Sequence, residues 1–465
     1  MNRAQALAIL ELPSEQAVNL IVAIGEKAER WDVLQAQGAA NTPVSPTTPS
    51  GMTPVYLKPP ARGRAKKPGQ KPGHIGACRP PPQRIDSTCE HHLKSCPHCG
   101  TAVDKPIRKH TRFIEDIPKV VPLVTAHTVH GYWCSHCMTI VAPKVTAALP
   151  RSRLGLRLVV YSAWLHYLVG VSVGNCVKTA AVSLGFPVSS GGLTRAWKNL
   201  AQLLEGHYAA IGQNIRHSAV LHADETGWRI NGVTVWLWAF ATRQYCYYLI
   251  HPRRSAAVIQ QVLGTLFAGI LITDFWGAYN AIETLAKQRC YFHLFTELIK
   301  VDKLNASATW KRFRKKLSRF LKDAVRLGQQ RQQHSPPTYA RRKAQLLERL
   351  DELIAGDFED ADARRLIKRL RRHRGELLTF LDYEGVSPYN NHAEQQMRTA
   401  VHTRKVSQQN RSLQGAKTHA IFLSLFRSAE LQALNPFEYV LQLAEAALVG
   451  QSTDTIAPEQ LKKAA

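Results

Sequence analysis

Three carboxylates in three separate contexts carry the chemistry this chain could perform. Ala219-Val-Leu-His-Ala-Asp224-Glu-Thr-Gly-Trp228 is a short apolar run that ends in two acids. A strand of that kind brings its last side chain to the rim of a sheet, where a carboxylate can hold a hard cation. The pattern returns in Gly269-Ile-Leu-Ile-Thr-Asp274-Phe-Trp-Gly-Ala-Tyr279, and a third acid, Glu394, opens a helical pattern in Tyr389-Asn-Asn-His-Ala-Glu394-Gln-Gln-Met-Arg398. Such oxygen donors suit magnesium or manganese, and two such ions about 4 Å apart can drive phosphodiester cleavage by water or attack by a 3′-hydroxyl. A single acid at a strand end commonly caps a helix or faces solvent; three that converge make a site. Glu225 could replace or assist Asp224. His222 shares the strand face of Asp224, which suits a packed core histidine or a supporting role.

A second set of metal-binding residues lies upstream. Cys96-Pro-His-Cys99 and Cys134-Ser-His-Cys137 are two Cys-x-x-Cys pairs, able to supply the four thiolates of a closed tetrahedral zinc site. The alternation from Arg112 to Trp133 reads as strands, so a zinc ribbon fits. A redox dithiol is the rival, but redox chemistry needs one pair, not two. Cys89, His91, His98 and His136 are alternative ligands.

The elements that must position the acids follow from pattern. After Asp224 come two aromatic and β-branched runs, Val233–Phe240 and Tyr245–Ile250, with Asn231-Gly232 as the first turn. A helical segment over about 256–267 then leads to the strand ending at Asp274. Strand, strand, strand, helix, strand is the order of a ribonuclease-H-like α/β core, in which acids on the first and fourth strands meet. The interval before Glu394 is far longer than one connecting helix needs. From about 309 to 381 it reads as a basic helical insertion, its charge facing either a polyanion or solvent.

The remaining segments are equipment. A helix with Ser14 as N-cap serves either self-association or packing on the body. A Pro/Thr/Ser-rich linker follows, then the basic Pro/Gly run holding Arg62, Arg64, Lys66, Lys67 and Lys71, which can lie along a phosphate backbone or act as a tether. Residues 154–218 read as helical. Two helices around Gly185-Phe-Pro could form a helix-turn-helix offering Thr194, Arg195 and Lys198 to DNA, or could simply pack. The expected division is 1–38, N-terminal helix; 39–85, linker; 86–148, zinc-binding domain; 149–218, helical domain. It continues with 219–300, first part of the core; 301–383, insertion; 384–450, last part of the core; and 451–465, tail.

Composition agrees with a polyanionic partner. The chain has 465 residues and 61 Lys+Arg against 34 Asp+Glu, a formal charge of +27. Neutralised phosphates release counterions, so nucleic acid is favoured over a membrane. Nine cysteines, with four in two pairs, suit a reducing compartment, and no signal peptide is visible at the N-terminus. The expected location is the cytoplasm.

Taken together, Asp224-Glu-Thr-Gly-Trp, Asp274-Phe-Trp-Gly-Ala-Tyr, Arg289-Cys-Tyr-Phe-His293-Leu, Asn390-Asn-His-Ala-Glu394, Arg404-Lys-Val-Ser407 and Arg411-Ser-Leu-Gln-Gly415 resemble the large transposase of the IS66 insertion-sequence family. The resemblance runs from the basic Pro/Gly segment to about residue 445. It implies a DDE transposase acting on element ends and target DNA, with Asp224, Asp274 and Glu394 as the metal-binding triad and a zinc-binding domain ahead of it. It implies multimers on paired ends, and small accessory proteins are conceivable partners. The chain departs from the family pattern at Gln395 and Thr296, where basic residues are common. Arg398, Arg404, Lys405 and Arg411 are the expected phosphate contacts near the scissile strand. The rivals are a zinc-dependent DNA-binding protein with an inert core and a nuclease that hydrolyses without joining.

Overall fold

The computed structural model describes residue 76 and residues 80–450. The N-terminal helix, the linker and the basic residues Arg62, Arg64, Lys66, Lys67 and Lys71 lie outside the described residues. The described residues divide into two compact units, one built from Thr146–Val171 and 196–450, the other from the described residues before Thr146 with Ser172–Arg195.

The larger unit is organised on a five-stranded sheet formed by β3 (Val220–Ile230), β4 (Val233–Ala241), β5 (Cys246–His251), β6 (Leu266–Thr273) and β7 (Glu283–Arg289), in the order β5-β4-β3-β6-β7. The first three strands run antiparallel, and β3–β6 and β6–β7 pair in parallel. The β3–β4 hairpin turns through Asn231 (φ 48°) and Gly232 (φ 79°), the left-handed pair that matches strand twist in a two-residue turn. Leu237 to Ala241 are all fully buried, as strands covered on both faces must be.

Helices close the sheet. α1 (Leu156–Ala163) runs into a π-helical segment, Trp164–Val169, and α4 (Glu205–Arg216) precedes β3. α5 (Ala256–Leu263) makes the crossover into β6. After β7 come α6 (Tyr291–Asp302), then the insertion α7 (Ala308–Gln329), α8 (Pro336–Ala355) and α9 (Ala361–Arg372). α10 (Asn391–Ser407), α11 (Leu413–Leu431) and α12 (Pro436–Val449) finish the unit. Edge strand β5 is covered by α11, whose Ser428 and Ser424 hydroxyls accept the N–H groups of Cys246 (3.0 Å) and Tyr248 (2.9 Å). An exposed ladder is thereby satisfied.

α7 shows why the insertion is helical and where it packs. Ser307 caps it by accepting the Trp310 N–H, and Trp310, Phe313, Leu317, Phe320, Leu321, Ala324 and Leu327 form one buried stripe. That stripe shares a continuous core with Ile270 and Ile272 of β6 and with Leu294 and Leu298 of α6. The insertion is therefore an extension of the sheet's own core.

The smaller unit holds the two-stranded hairpin β1 (Tyr132–Cys134) and β2 (Thr139–Val141), with α2 (Val173–Ser183) and the start of α3 (Ser190–Leu203). The expectation of strands across 112–133 is corrected: strand begins only at Tyr132. Ile117, Leu123 and Val124 are more than 80% exposed, and no strand pairs with them, so alternation alone has nothing to bond to. The expected helices on either side of Gly185 are present as α2 and α3. Among the described residues no helix is long and apolar enough to cross a membrane.

Candidate active site

Parallel pairing brings the first two acids to one end of the sheet. Val220, Leu221 and His222 pair with Ile270, Leu271 and Ile272. Continuing that register by two residues sets Asp224 level with Asp274, which directly follows β6. The carboxylate of Asp274 accepts the Trp276 N–H at 2.9 Å, fixing the turn out of the strand.

Glu394 arrives from a distant part of the chain. It lies in the first turn of α10, whose preceding residue, Asn390, is fully buried. The Asn390 side chain donates to the Ala223 carbonyl (2.8 Å), and its backbone N–H donates to Cys290 Sγ (3.1 Å). Its carbonyl oxygen faces His222 Nδ1 at 3.1 Å, so that nitrogen carries the proton and donates. Burial, with His392 beside it, pulls His222 down to about 4 and keeps the ring neutral for this bond. One asparagine thus ties the start of α10 to the strand residue next to Asp224.

The convergence is felt electrostatically at Asp224. Burial pushes its carboxyl well above the ordinary 3.8, and the charges of Glu225, Asp274 and Glu394 push in the same direction. Among the described residues no basic side chain pairs with it. A half-buried acid beside other acids, without a counter-ion among the described residues, has the chemistry of a divalent-cation ligand, although the three carboxylates are not drawn together as closely as 4.8 Å.

Glu225 has another use. Arg254 Nε and Nη2 donate to one of its oxygens at 3.0 and 2.6 Å, and the Tyr279 hydroxyl donates to the other at 2.6 Å. Arg254 is stacked on Trp236 (4.6 Å) and Trp276 (4.3 Å). Both oxygens being engaged, Glu225 anchors the middle of β3, which continues past the two acids to Ile230 instead of ending at them as the apolar run suggests, because β4 goes on pairing with it. On the far side Arg289, fully buried, donates to the Asp274 carbonyl (2.8 Å), the Thr273 hydroxyl (3.1 Å), Asn280 (2.6 Å) and Glu376 (2.5 Å). Burial would raise the Glu376 carboxyl, but His373 and Arg289 outweigh it and hold it at about 2. Arg254 lies in a polar turn that carried no sequence signal, and Arg289 stood out only as the first residue of a motif.

The expected DNA contacts divide. Arg195, Lys198, Arg398, Lys405 and Arg411 are exposed. Arg404 is partly buried and donates to Gly227 O and the Thr226 hydroxyl, so it braces β3.

The four cysteines form two turns. Gly100 N–H bonds the Cys96 carbonyl (2.9 Å) and Cys96 N–H the Thr101 carbonyl (2.8 Å), while Cys134 and Cys137 bracket the β1–β2 turn. Hydrogen bonds from Thr101 lower the Cys99 thiol, and those from Cys137 lower Cys134. Thiols in paired turns have the donor chemistry of tetrahedral zinc, although the two turns are not gathered into one sulfur cluster. Among the described residues the group of three metal-binding side chains that does come together is Cys290, His293 and Glu394, with ligand atoms all within 4.8 Å of one another.

Two family profiles match the chain. The profile described as zinc-finger binding domain of transposase IS66 matches residues 94–138, which include all four cysteines. An uncharacterized protein, y4jD, of Sinorhizobium fredii is 27% identical over 227 residues, covering 44% of this chain and 43% of that protein, so the match spans less than half of the relative's length. The profile of the Transposase IS66 family matches residues 151–418, more than half of the chain and the whole of the sheet with its three acids; the chain belongs to that family.

Proposed function

We propose that the protein is a DDE transposase that cleaves DNA at the ends of an insertion sequence and transfers the new 3′ ends to target DNA, using Asp224, Asp274 and Glu394. The observation that carries this reading is geometric: the β3–β6 register sets Asp224 level with Asp274, and the Asn390–Ala223 hydrogen bond ties the start of α10, which bears Glu394, to the same strand. The strand order β5-β4-β3-β6-β7, with β4 antiparallel to both of its neighbours and the acids at one sheet end, supports a ribonuclease-H-like core. Asp224, Asp274 and Glu394 would hold magnesium or manganese; when bound, such ions activate the attacking oxygen and neutralise the leaving one.

The chain's own residues supply position. Asn390 holds the start of α10 against β3, Arg289 holds the turn after β6, and the Arg254–Glu225–Tyr279 group keeps the middle of β3 rigid. Placement to within an ångström matters for in-line attack, because misplacement of that size costs roughly 10²-fold in rate. Exposed Arg398, Lys405 and Arg411 would contact the DNA backbone, with Cys96, Cys99, Cys134 and Cys137 holding zinc in a separate DNA-binding module.

The test is cleavage and joining of labelled element-end DNA with magnesium or manganese. Native protein should nick the end and join it to target, while Asp224→Ala and Glu394→Gln bind the DNA but do neither. Cutting without joining would point to a hydrolytic nuclease. Equal binding by all three with no cutting would leave a DNA-binding protein.

A further inference from the structure

Glu394 faces two ways. Toward the sheet it contributes to the charge at Asp224; toward α6 its Oε1 is buried without a hydrogen-bond partner. His293 Nδ1 is a second buried atom without a partner, and it lies 4.0 Å from that oxygen. Cys290, the N-cap of α6, completes the group. Its Sγ is met by the backbone N–H groups of Asn390, Phe292 and His293, and it lies within 4.8 Å of the other two ligand atoms. Cys290 and His293 stand one helical turn apart at the start of α6, and Glu394 stands in the first turn of α10. Two adjacent buried polar atoms left unpaired are costly, and a cation between them would satisfy both.

The donor set differs in kind from that of the sheet-end acids. Magnesium takes oxygen ligands. One sulfur, one imidazole nitrogen and one carboxylate oxygen instead suit zinc and its thiophilic neighbours, with a fourth position left open. Bonds of about 2.0–2.1 Å at a tetrahedral centre set nitrogen and oxygen ligands roughly 3.4 Å apart, so the present gap closes by about half an ångström.

We propose that Cys290, His293 and Glu394 form a binding site for one thiophilic divalent cation of the zinc class, which withdraws Glu394 from the magnesium-binding acids and so inhibits the enzyme. Binding replaces the Cys290 thiol proton, which leaves to solvent as the sulfur–metal bond forms. The binding rests on the three side chains alone; the inhibition rests on the transposase reading.

The test uses the full chain with its cysteine pairs already loaded. The protein is dialysed against micromolar zinc in millimolar magnesium, and bound zinc per chain is counted by atomic emission. Native protein and Asp224→Ala should each hold one zinc more than Cys290→Ser and His293→Ala. His293 is partly exposed, so His293→Ala remains informative if Cys290→Ser does not fold. Equal counts in native protein and His293→Ala overturn the site, and loss of the extra zinc in Asp224→Ala overturns its separateness from the sheet-end acids. In the magnesium cleavage assay zinc should lower the native rate at least tenfold, and the ratio with and without zinc should be near one for His293→Ala. An extra zinc that leaves native cleavage unchanged overturns the inhibition. If native protein cuts under no condition, the transposase reading fails while the zinc count still decides the site.

Discussion

Asp224 is held in a place where its charge is resisted, by burial first and then by the neighbouring acids. A carboxyl raised in the folded state contributes stability that is present below its unfolded value, 3.8, and lost as pH rises through the folded value. In EDTA, Asp224→Asn should therefore stabilise the protein at neutral pH by about 1–2 kcal/mol, with the gain vanishing as pH falls to about the unfolded carboxylate value. Magnesium should raise the melting temperature of native protein and leave the variant unmoved. Urea unfolding across pH, with and without magnesium, checks both. An unchanged variant would mean that the acid is solvated and the site open. Glu225, its neighbour, shows that adjacent acids can have opposite fates. The motif Asp224-Glu225 named both, but only the partners of Glu225, Arg254 and Tyr279, reveal which one is already engaged.

The third acid depends on how α10 docks. Replacing Asn390 with Ala removes the partner of the Ala223 carbonyl and of His222, for an expected loss of about 1–3 kcal/mol in stability. On the proposed reading, cleavage should fall much further, by roughly 10²-fold at a temperature where the variant is still folded, because Glu394 loses its placement. Rates measured beside a melting curve separate the two; a rate loss no larger than the folding loss would make Asn390 structural alone. Legibility in the sequence also differed by element. β4 and β5 announced themselves through aromatic and β-branched runs and β6 through an apolar one, whereas β3 was legible only as far as Asp224 and continues to Ile230 because β4 pairs with it. β7, Glu-Thr-Leu-Ala-Lys-Gln-Arg, has no such run and is a strand because β6 offers it an edge. Residues 112–131 are the converse, an alternating pattern without a partner. Asn390 was visible inside a motif, but its role needs Ala223 and Cys290 beside it, and no spacing rule reports that.

The charge of the whole molecule resolves into two populations. Arg365 and Arg369 are paired with Glu297, Arg314 with Asp302, and Arg374 with Asp351. Lys311, Lys315 and Lys316 on α7 are exposed and have no ion-pair partner among the described residues. The sequence could not sort them, because the acids that neutralise the first group lie mostly on other elements. Changing the three lysines to Glu should weaken DNA binding uniformly across sequences and flatten the log–log salt dependence by roughly 2–3 units, since each phosphate contact contributes about 0.9. Anisotropy titrations over a salt series measure this, and an unchanged slope would assign that face to solvent. The bond from Asn390 to Ala223 spans 167 residues, with the insertion in between. At about 5–20 residues per second of synthesis, roughly 8–33 s separate the two partners as they leave the ribosome. During that interval the nascent chain gains Asp274 after Asp224 but still lacks Glu394, so the protein should be harmless to the chromosome while it is being made. Ribosome-stalled chains ending before Asn390 should cut no DNA, and released full-length chains should.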